Sequence, residues 1–241
     1  MKVAVVGYGK MGREVATVLR DRKHEPVVSL KGTDFPAGCV VGIDFTEPDA
    51  VLANTRAALT ARARYVIGTT GWNDLSDELR RLVAESKGGV VHAANFSLGV
   101  NLFYKVVRDA ARLFARFPDY DPYVLEKHHR QKKDAPSGTA RELARILEAA
   151  PGPSRKGTTA FEGALPAGQF HVAAVRAGGI VGEHTVGFDS GGDEVLLEHR
   201  ARTRRGFALG AVLAAEWIAS RSGLHTFEEV VDDLAGGAGP D

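Results

Sequence analysis

Short apolar runs alternate with amphipathic stretches along residues 1–95. Residues 2–6 form an apolar run ending at Gly7, and residues 10–22 place Met11, Val15, Val18 and Leu19 at helical spacing. Residues 26–30, 40–45, 65–68 and 90–93 read as further strands. Helical patterns fall between them, over about 48–59 and from Trp72, with Leu75, Leu79, Leu82 and Val83 on one face. Strands alternating with helices predict a parallel sheet covered on both faces.

The rhythm changes after Asn95. Residues 100–117 predict one long amphipathic helix, with Val100, Phe103, Val107, Ala111 and Phe114 toward a core. A strand ending at His128-His129 follows, then a helix beginning near Pro136. Residues 151–168 are rich in Pro and Gly and read as largely loop. Residues 170–175, 185–189 and 194–199 read as strands, the last two joined by a Ser190-Gly191-Gly192-Asp193 hairpin turn. The second half therefore predicts an open, mostly antiparallel sheet with a few helices. Residues 207–218 and 227–234 predict closing helices, and the tail from Gly236 to Asp241 reads as frayed.

The turn after the first strand is Gly7-Tyr8-Gly9-Lys10-Met11-Gly12. Glycines at this spacing, between a strand and a helix, allow a tight turn and close backbone approach. The helix then offers its amide groups to a pyrophosphate. A reader of the ribose 2′-hydroxyl would be a carboxylate at the end of the second strand, but Ser29, Leu30 and Lys31 stand there. Lys31 can meet a 2′-phosphate, which favours NADPH. Asp34, reached by a different loop path, leaves use of NADH open as well. At the ends of later strands, Gly68-Thr69-Thr70-Gly71 and Ala93-Ala94-Asn95-Phe96 are placed to hold a nicotinamide carboxamide, through backbone groups and threonine hydroxyls. Phe96 would exclude water.

Charge and composition then narrow the partners. Lys plus Arg total 31 against 30 for Asp plus Glu, a net charge of +1, which gives no electrostatic footprint for nucleic acid. No apolar run approaches the roughly 20 residues of a membrane span. The single cysteine, Cys39, excludes an intramolecular disulfide, and the N-terminus goes straight into a strand pattern without a signal peptide's apolar core. A cytoplasmic setting is expected.

The densest chemistry lies in residues 126–139. His128 and His129 close a strand, Lys132 sits in the loop, Asp134 can cap the next helix, and Pro136 suits its first turn. Ser137, Gly138 and Thr139 would then present amide donors at a helix N-terminus, a carboxylate site. A proton donor, a fixed cation and an anion cradle suit reduction of a conjugated imine. Hydride lands on one carbon, and the charge developing next to it must be stabilised and protonated. Adjacent strand residues face opposite ways, so one histidine at most donates the proton. The pair lacks metal-ligand spacing, and no metal is expected. His24, His92, His171, His184, His199 and His225 read as structural.

On this stretch the chain resembles the dihydrodipicolinate reductase family, whose signature E-x-H-H-x-x-K-x-D-A-P-S-G-T-A matches residues 126–140 throughout. The similarity extends to residues 7–12, Asp44-Phe45-Thr46, residues 68–71, 94–97 and 99–101, Arg176, and residues 178–184. The resemblance implies an α/β protein: a Rossmann-like parallel-sheet domain over 1–98, and a mixed α/β substrate-binding and oligomerisation domain with an open sheet over 99–204. Residues 205–241 would return to the first domain. It further implies a homotetramer, a small dicarboxylate substrate, His128 as proton donor with Lys132 its partner, and His129, Gly138, Thr139 and Arg204 on the substrate carboxylates. Many family members have a first turn one residue longer, and the usual acidic residue after the second strand is missing here, so cofactor preference is the property these departures touch.

Two other classes fit the sequence less well. An aldehyde-oxidising dehydrogenase would need a cysteine nucleophile after a cofactor strand, and Cys39 precedes the third strand. A non-catalytic dinucleotide sensor would not need the histidine, lysine and anion cradle together.

Overall fold

The computed structural model describes residues 1–152 and 154–236, without the side chain of Asn73. The chain divides into two units, one of residues 1–101 with 204–241 and one of residues 102–203.

In the first unit the apolar runs become β1 (Lys2–Val6), β2 (Glu25–Ser29), β3 (Val41–Asp44), β4 (Arg64–Ile67) and β5 (Gly89–His92). Between them lie α1 (Lys10–Asp21), α2 (Val51–Thr60) and α3 (Ser76–Ser86), the last two preceded by short 3₁₀ turns at Pro48–Ala50 and Asn73–Leu75. β1, β3, β4 and β5 are almost continuously buried, as strands covered on both faces must be. On one face α1, α6 (Arg205–Ile218) and α7 (Phe227–Gly236) pack on Val3, Val5, Ile43, Val66 and Val91. On the other, α2 and α3 cover Ala4, Val6, Tyr65, Ile67 and Val90. Glu216 of α6 takes a bidentate contact from Arg22 at 2.7 Å and binds His24 at 2.7 Å, so His24 is structural as expected. The sheet holds a strand the sequence did not announce, β11 (Gly223–Thr226), which pairs parallel with β5 and gives the order β11-β5-β4-β3-β1-β2.

α4 (Leu98–Phe114) leads into the second unit, where β6 (Asp121–His128), α5 (Gly138–Glu148), β7 (Lys156–Thr158), β8 (Gln169–Arg176), β9 (Glu183–Asp189) and β10 (Glu194–Arg200) follow. The sheet order is β10-β9-β6-β8-β7. β9 runs antiparallel to β6 and β10, but β8 is parallel to both β6 and β7. The expected mostly antiparallel sheet is therefore mixed: α5 and the chain after it carry the path back to the starting edge, so β8 enters in the same direction as β6. Phe103, Val107 and Ala111 of α4 and Leu143, Ile146 and Leu147 of α5 form its core with Val124, Phe170, Val172, Val186 and Phe188.

The stretch 151–168 is loop except for β7, with Pro153 outside the described residues. The tail expected to fray lies, beyond Gly236, outside them too. No helix among the described residues is long and apolar enough to cross a membrane.

Candidate active site

The glycine turn forms as its sequence requires. Gly7 has φ +83°, where a side chain is strained, and a Cβ on Gly12 would stand 2.0 Å from the Gly7 carbonyl oxygen. Gly9 is the N-cap of α1, with no side chain capping the helix and no atom within 4 Å of where its Cβ would be. An open approach to uncapped amides at a positive helix end is what a pyrophosphate needs. Tyr8 and Met11 lean on the core, Arg13 stacks over the Tyr8 ring, and Lys10 is exposed.

The ends of β3 and β4 are tied by a carboxylate to which sequence reasoning gave no role. Asp44, fully buried, accepts from the Thr46 amide (2.7 Å) and hydroxyl (2.6 Å), Asn54 (3.1 Å), Tyr65 (2.8 Å) and Thr69 (3.2 Å). Burial first, and then Asp44, push the Tyr65 phenol well above its ordinary value. The Thr69 hydroxyl donates to Asp44 and its carbonyl accepts from Trp72, so among the threonines here it is exposed Thr70 whose hydroxyl stands outside this network. The Phe96 side chain is buried and packs against Phe227 with ring centroids 4.9 Å apart. The Asn95 side chain caps the chain entering α4 by accepting from the Ser97 amide at 2.8 Å. Ala93 is half-buried, Ala94 exposed, Gly68 half-buried and Lys31 exposed. Arg204 is exposed at the N-cap of α6.

In the second unit Val124, Glu126 and His128 share the buried face of β6, as alternation dictates. His129 falls just past the strand and is half-buried, its carbonyl accepting from the Lys132 amide. Strand register sets Glu126 opposite His184 on β9, and His128 opposite Arg176 on β8. Glu126, fully buried, accepts through Oε1 from the Ser137 amide and the Arg176 guanidinium, both at 2.8 Å. Its Oε2 lies 3.0 Å from His128 Nδ1 and 3.8 Å from His184 Nε2. The first is a close approach that falls short of hydrogen-bond geometry as the ring stands, so neither atom has a hydrogen-bond partner. Burial alone would raise the Glu126 carboxyl, but its contacts with His128, Ser137 and Arg176 outweigh that and hold it far below the usual carboxylate range. His184 packs edge-on against His128 at 5.1 Å and shares a 3.3 Å contact with the Ser137 hydroxyl.

The helix start differs from the expectation. Ser137, not Asp134, caps α5: its hydroxyl accepts from the Ala140 amide, and Pro136 stands before the cap rather than in the first turn. Asp134 instead pairs with Lys132 at 2.7 Å, and that contact chiefly holds its carboxyl low. Since the Ser137 amide is spent on Glu126, the positive end of α5 is carried forward by exposed Gly138 and half-buried Thr139.

His184, which the sequence pattern reads as structural, thus joins a buried cluster with Glu126, His128 and Arg176. Glu126, His128 and His184 bring three potential ligand atoms within 4.8 Å of one another. The Arg176 guanidinium already supplies positive charge to this carboxylate, an arrangement suited to holding a proton rather than a dication.

The cluster carries a pH signature. Burial first, and then the His128 ring, pull His184 from 6.5 down to about 4. Between those values the unfolded chain binds a proton that the folded chain refuses, so stability is full above 6.5 and declines as pH falls toward 4. The depressed Glu126 carboxyl extends the loss below its unfolded value of 4.5. Urea melts at stepped pH are expected to show this decline, with a shallower slope from 6.5 to 4 in His184→Gln.

A parallel-sheet unit with an open glycine turn, together with a unit carrying a buried imidazole–carboxylate pair beside a loop lysine, defines an oxidoreductase of the Rossmann-like class. Comparison with known proteins makes this particular. Residues 26–96 match the family described as "Dihydrodipicolinate reductase, N-terminus", and residues 99–231 match "Dihydrodipicolinate reductase, C-terminus". A 4-hydroxy-tetrahydrodipicolinate reductase of Christiangramia forsetii is 36% identical, over 97% of this chain and 99% of its own. The enzyme of the same name from Paraburkholderia phymatum is 35% identical, over 96% and 99%. A dipicolinate-bound dihydrodipicolinate reductase from Paenisporosarcina sp. TG-14 shares the structure at a TM-score of 0.74 and 27% identity, over 95% of this chain and 98% of that one. The chain belongs to the dihydrodipicolinate reductase family.

Proposed function

We propose that this protein reduces 4-hydroxy-tetrahydrodipicolinate to tetrahydrodipicolinate with NAD(P)H, in diaminopimelate and lysine biosynthesis. The observation that carries the reading is the placement of His128 against a buried, ionised Glu126, with the paired Lys132 and the start of α5 in the segment that follows. When bound, the reduced nicotinamide supplies the hydride. The groups that fit such a cofactor are the turn Gly7, Tyr8, Gly9, Lys10, Met11 and Gly12, with Lys31, Gly68, Thr69, Thr70, Ala93, Ala94, Asn95 and Phe96. The lack of any obstruction at Gly9 supports this fit.

His128 gives up an imidazole proton to the position next to the reduced carbon. The 4-hydroxyl leaves as water, hydride then adds to the carbon–carbon double bond conjugated with the imine, and Lys132, restrained by Asp134, offsets the negative charge on the substrate. His129, Gly138, Thr139 and Arg204 hold the two carboxylates, the helix start through its dipole and the arginine through its fork. Residues 1–98 serve the cofactor, 99–204 the substrate and a homotetrameric assembly, and 205–241 complete the first domain. NADPH is the favoured donor because Lys31, with no carboxylate beside it on the second strand, suits a 2′-phosphate; NADH remains usable. A cytoplasmic location and no nucleic-acid or membrane partner fit the near-neutral charge and biosynthetic role.

The test is consumption of NADPH and NADH, followed separately, with freshly generated substrate. Turnover with both and a lower KM for NADPH are expected. Oxidation of neither cofactor would remove the reading.

A further inference from the structure

Glu126 Oε2 and His128 Nδ1 are both buried and 3.0 Å apart, and each lacks any other hydrogen-bond partner. An acceptor left unmade in such a place is costly, so a small turn of the ring that pairs these two neighbouring orphans is favoured. The carboxylate has little freedom to turn away, since Ser137 and Arg176 fix Oε1. At the other edge of the ring Gly182 lies close, and a Cβ there would stand 3.1 Å from His128 Nε2, so the absence of a side chain spares that nitrogen a tight contact.

We propose that Glu126, clamped by Arg176, is the positioning residue of the proton donor: it keeps hydrogen on His128 Nδ1, so that Nε2 is the atom from which the proton leaves. The inference rests on His128 being the donor. Loss of the Nε2 proton breaks that N–H bond, forms the new bond to the substrate anion, and leaves a neutral ring with its remaining hydrogen on Nδ1, against the carboxylate. The role resembles that of an acid behind a catalytic histidine, where the wrong tautomer costs turnover rather than binding. The titratable and charged groups around the ring are Glu126 on its own strand, His184 on β9 with His199 beyond it on β10, Arg176 on β8, and Lys132 and Asp134 in the following loop.

The test uses the full-length chain with 15N-labelled histidine, read by NMR, together with the pH profile of kcat. Wild type is expected to show one neutral His128 tautomer, hydrogen on Nδ1. In Glu126→Gln both tautomers are expected, kcat should fall on the order of tenfold or more while substrate KM stays within a few-fold, and the basic limb of the kcat profile should move acidward by roughly one unit or more. Arg176→Met keeps the carboxylate and removes its competing cation, so its basic limb should move the opposite way. A merely structural role would not shift the two profiles in opposite directions. An unchanged tautomer in Glu126→Gln overturns the proposal. If that variant does not fold, a basic limb that stays in place in Arg176→Met overturns it instead. Near wild-type turnover in His128→Ala would sink the donor assignment while leaving the tautomer result standing, so the two failures are distinguishable.

Discussion

Replacing His128 by alanine is expected to cut turnover by a factor on the order of 100 or more, with cofactor affinity unchanged. The ring is buried on β6 in the second unit, whereas the glycine turn belongs to the first. Its removal leaves Glu126 with Arg176 and Ser137, so the carboxylate keeps partners and the fold has reason to survive. Lys132→Ala should produce a loss of the same order, because charge on the substrate is then not offset, while Asp134 keeps Arg141 at 4.0 Å. Steady-state turnover, with cofactor binding measured separately by fluorescence titration, checks both. Turnover within a few-fold of wild type in the two variants would falsify the proposed division of labour.

The second large effect is expected at the glycine turn, where two glycines make opposite predictions. A methyl on Gly12 meets the Gly7 backbone oxygen at 2.0 Å, and Gly7 cannot give way easily because its own Cβ position is crowded by Phe45 and Thr46 at 2.9 Å. Gly12→Ala should therefore lower both stability, by about 1–3 kcal/mol, and dinucleotide affinity. A methyl on Gly9 meets nothing in the chain. Gly9→Ala should leave the melting temperature unchanged yet weaken dinucleotide binding. Loss of one charge-assisted hydrogen bond is worth about 1.5–3 kcal/mol, or roughly 10- to 100-fold in Kd. Wild-type affinity in Gly9→Ala would place the phosphates elsewhere.

The parts of the fold that were legible in sequence are those with strong periodicity. β1, β3, β4 and β5 are apolar runs because both faces are covered, and α1 and α4 show their buried stripes. β11 escaped because Gly223-Leu224-His225-Thr226 is only half-buried at a sheet edge, with one apolar residue and a glycine at its start. β7 is three residues in a glycine-rich stretch. Sheet direction in the second unit was illegible for a different reason: strand patterns carry alternation but not polarity, and the parallel entry of β8 depends on where the chain after α5 travels.

The site divides in the same way. His128, Lys132, Gly138 and Thr139 lie within one short segment and could be read together. Arg176 and His184 lie 50 and 58 positions beyond Glu126, and only the pairing of β6 with β8 and β9 brings them to it. A signal was available, since both fall within the stretches that resemble the family. A charged residue ending one strand and a histidine beginning the next are, however, more often solvated or structural than catalytic, and nothing local favours the alternative. The cap of α5 is hard to place from sequence because Pro136 suits a first helical turn, whereas the serine after it does the capping.

β6 is the middle strand of its sheet, hydrogen-bonded along both edges to β8 and β9. The amides of residues 124–128 should then be among the slowest in the second unit to exchange with deuterium, with those of β7 and β10 faster. The nitrogen proposed to deliver the proton thus stands at the end of its unit's central strand, while Lys132 and the amides proposed to take the carboxylate lie beyond it, in the loop and at the start of α5. Adaptation to a differently shaped dicarboxylate can proceed by altering that segment, leaving the proton-delivery geometry undisturbed.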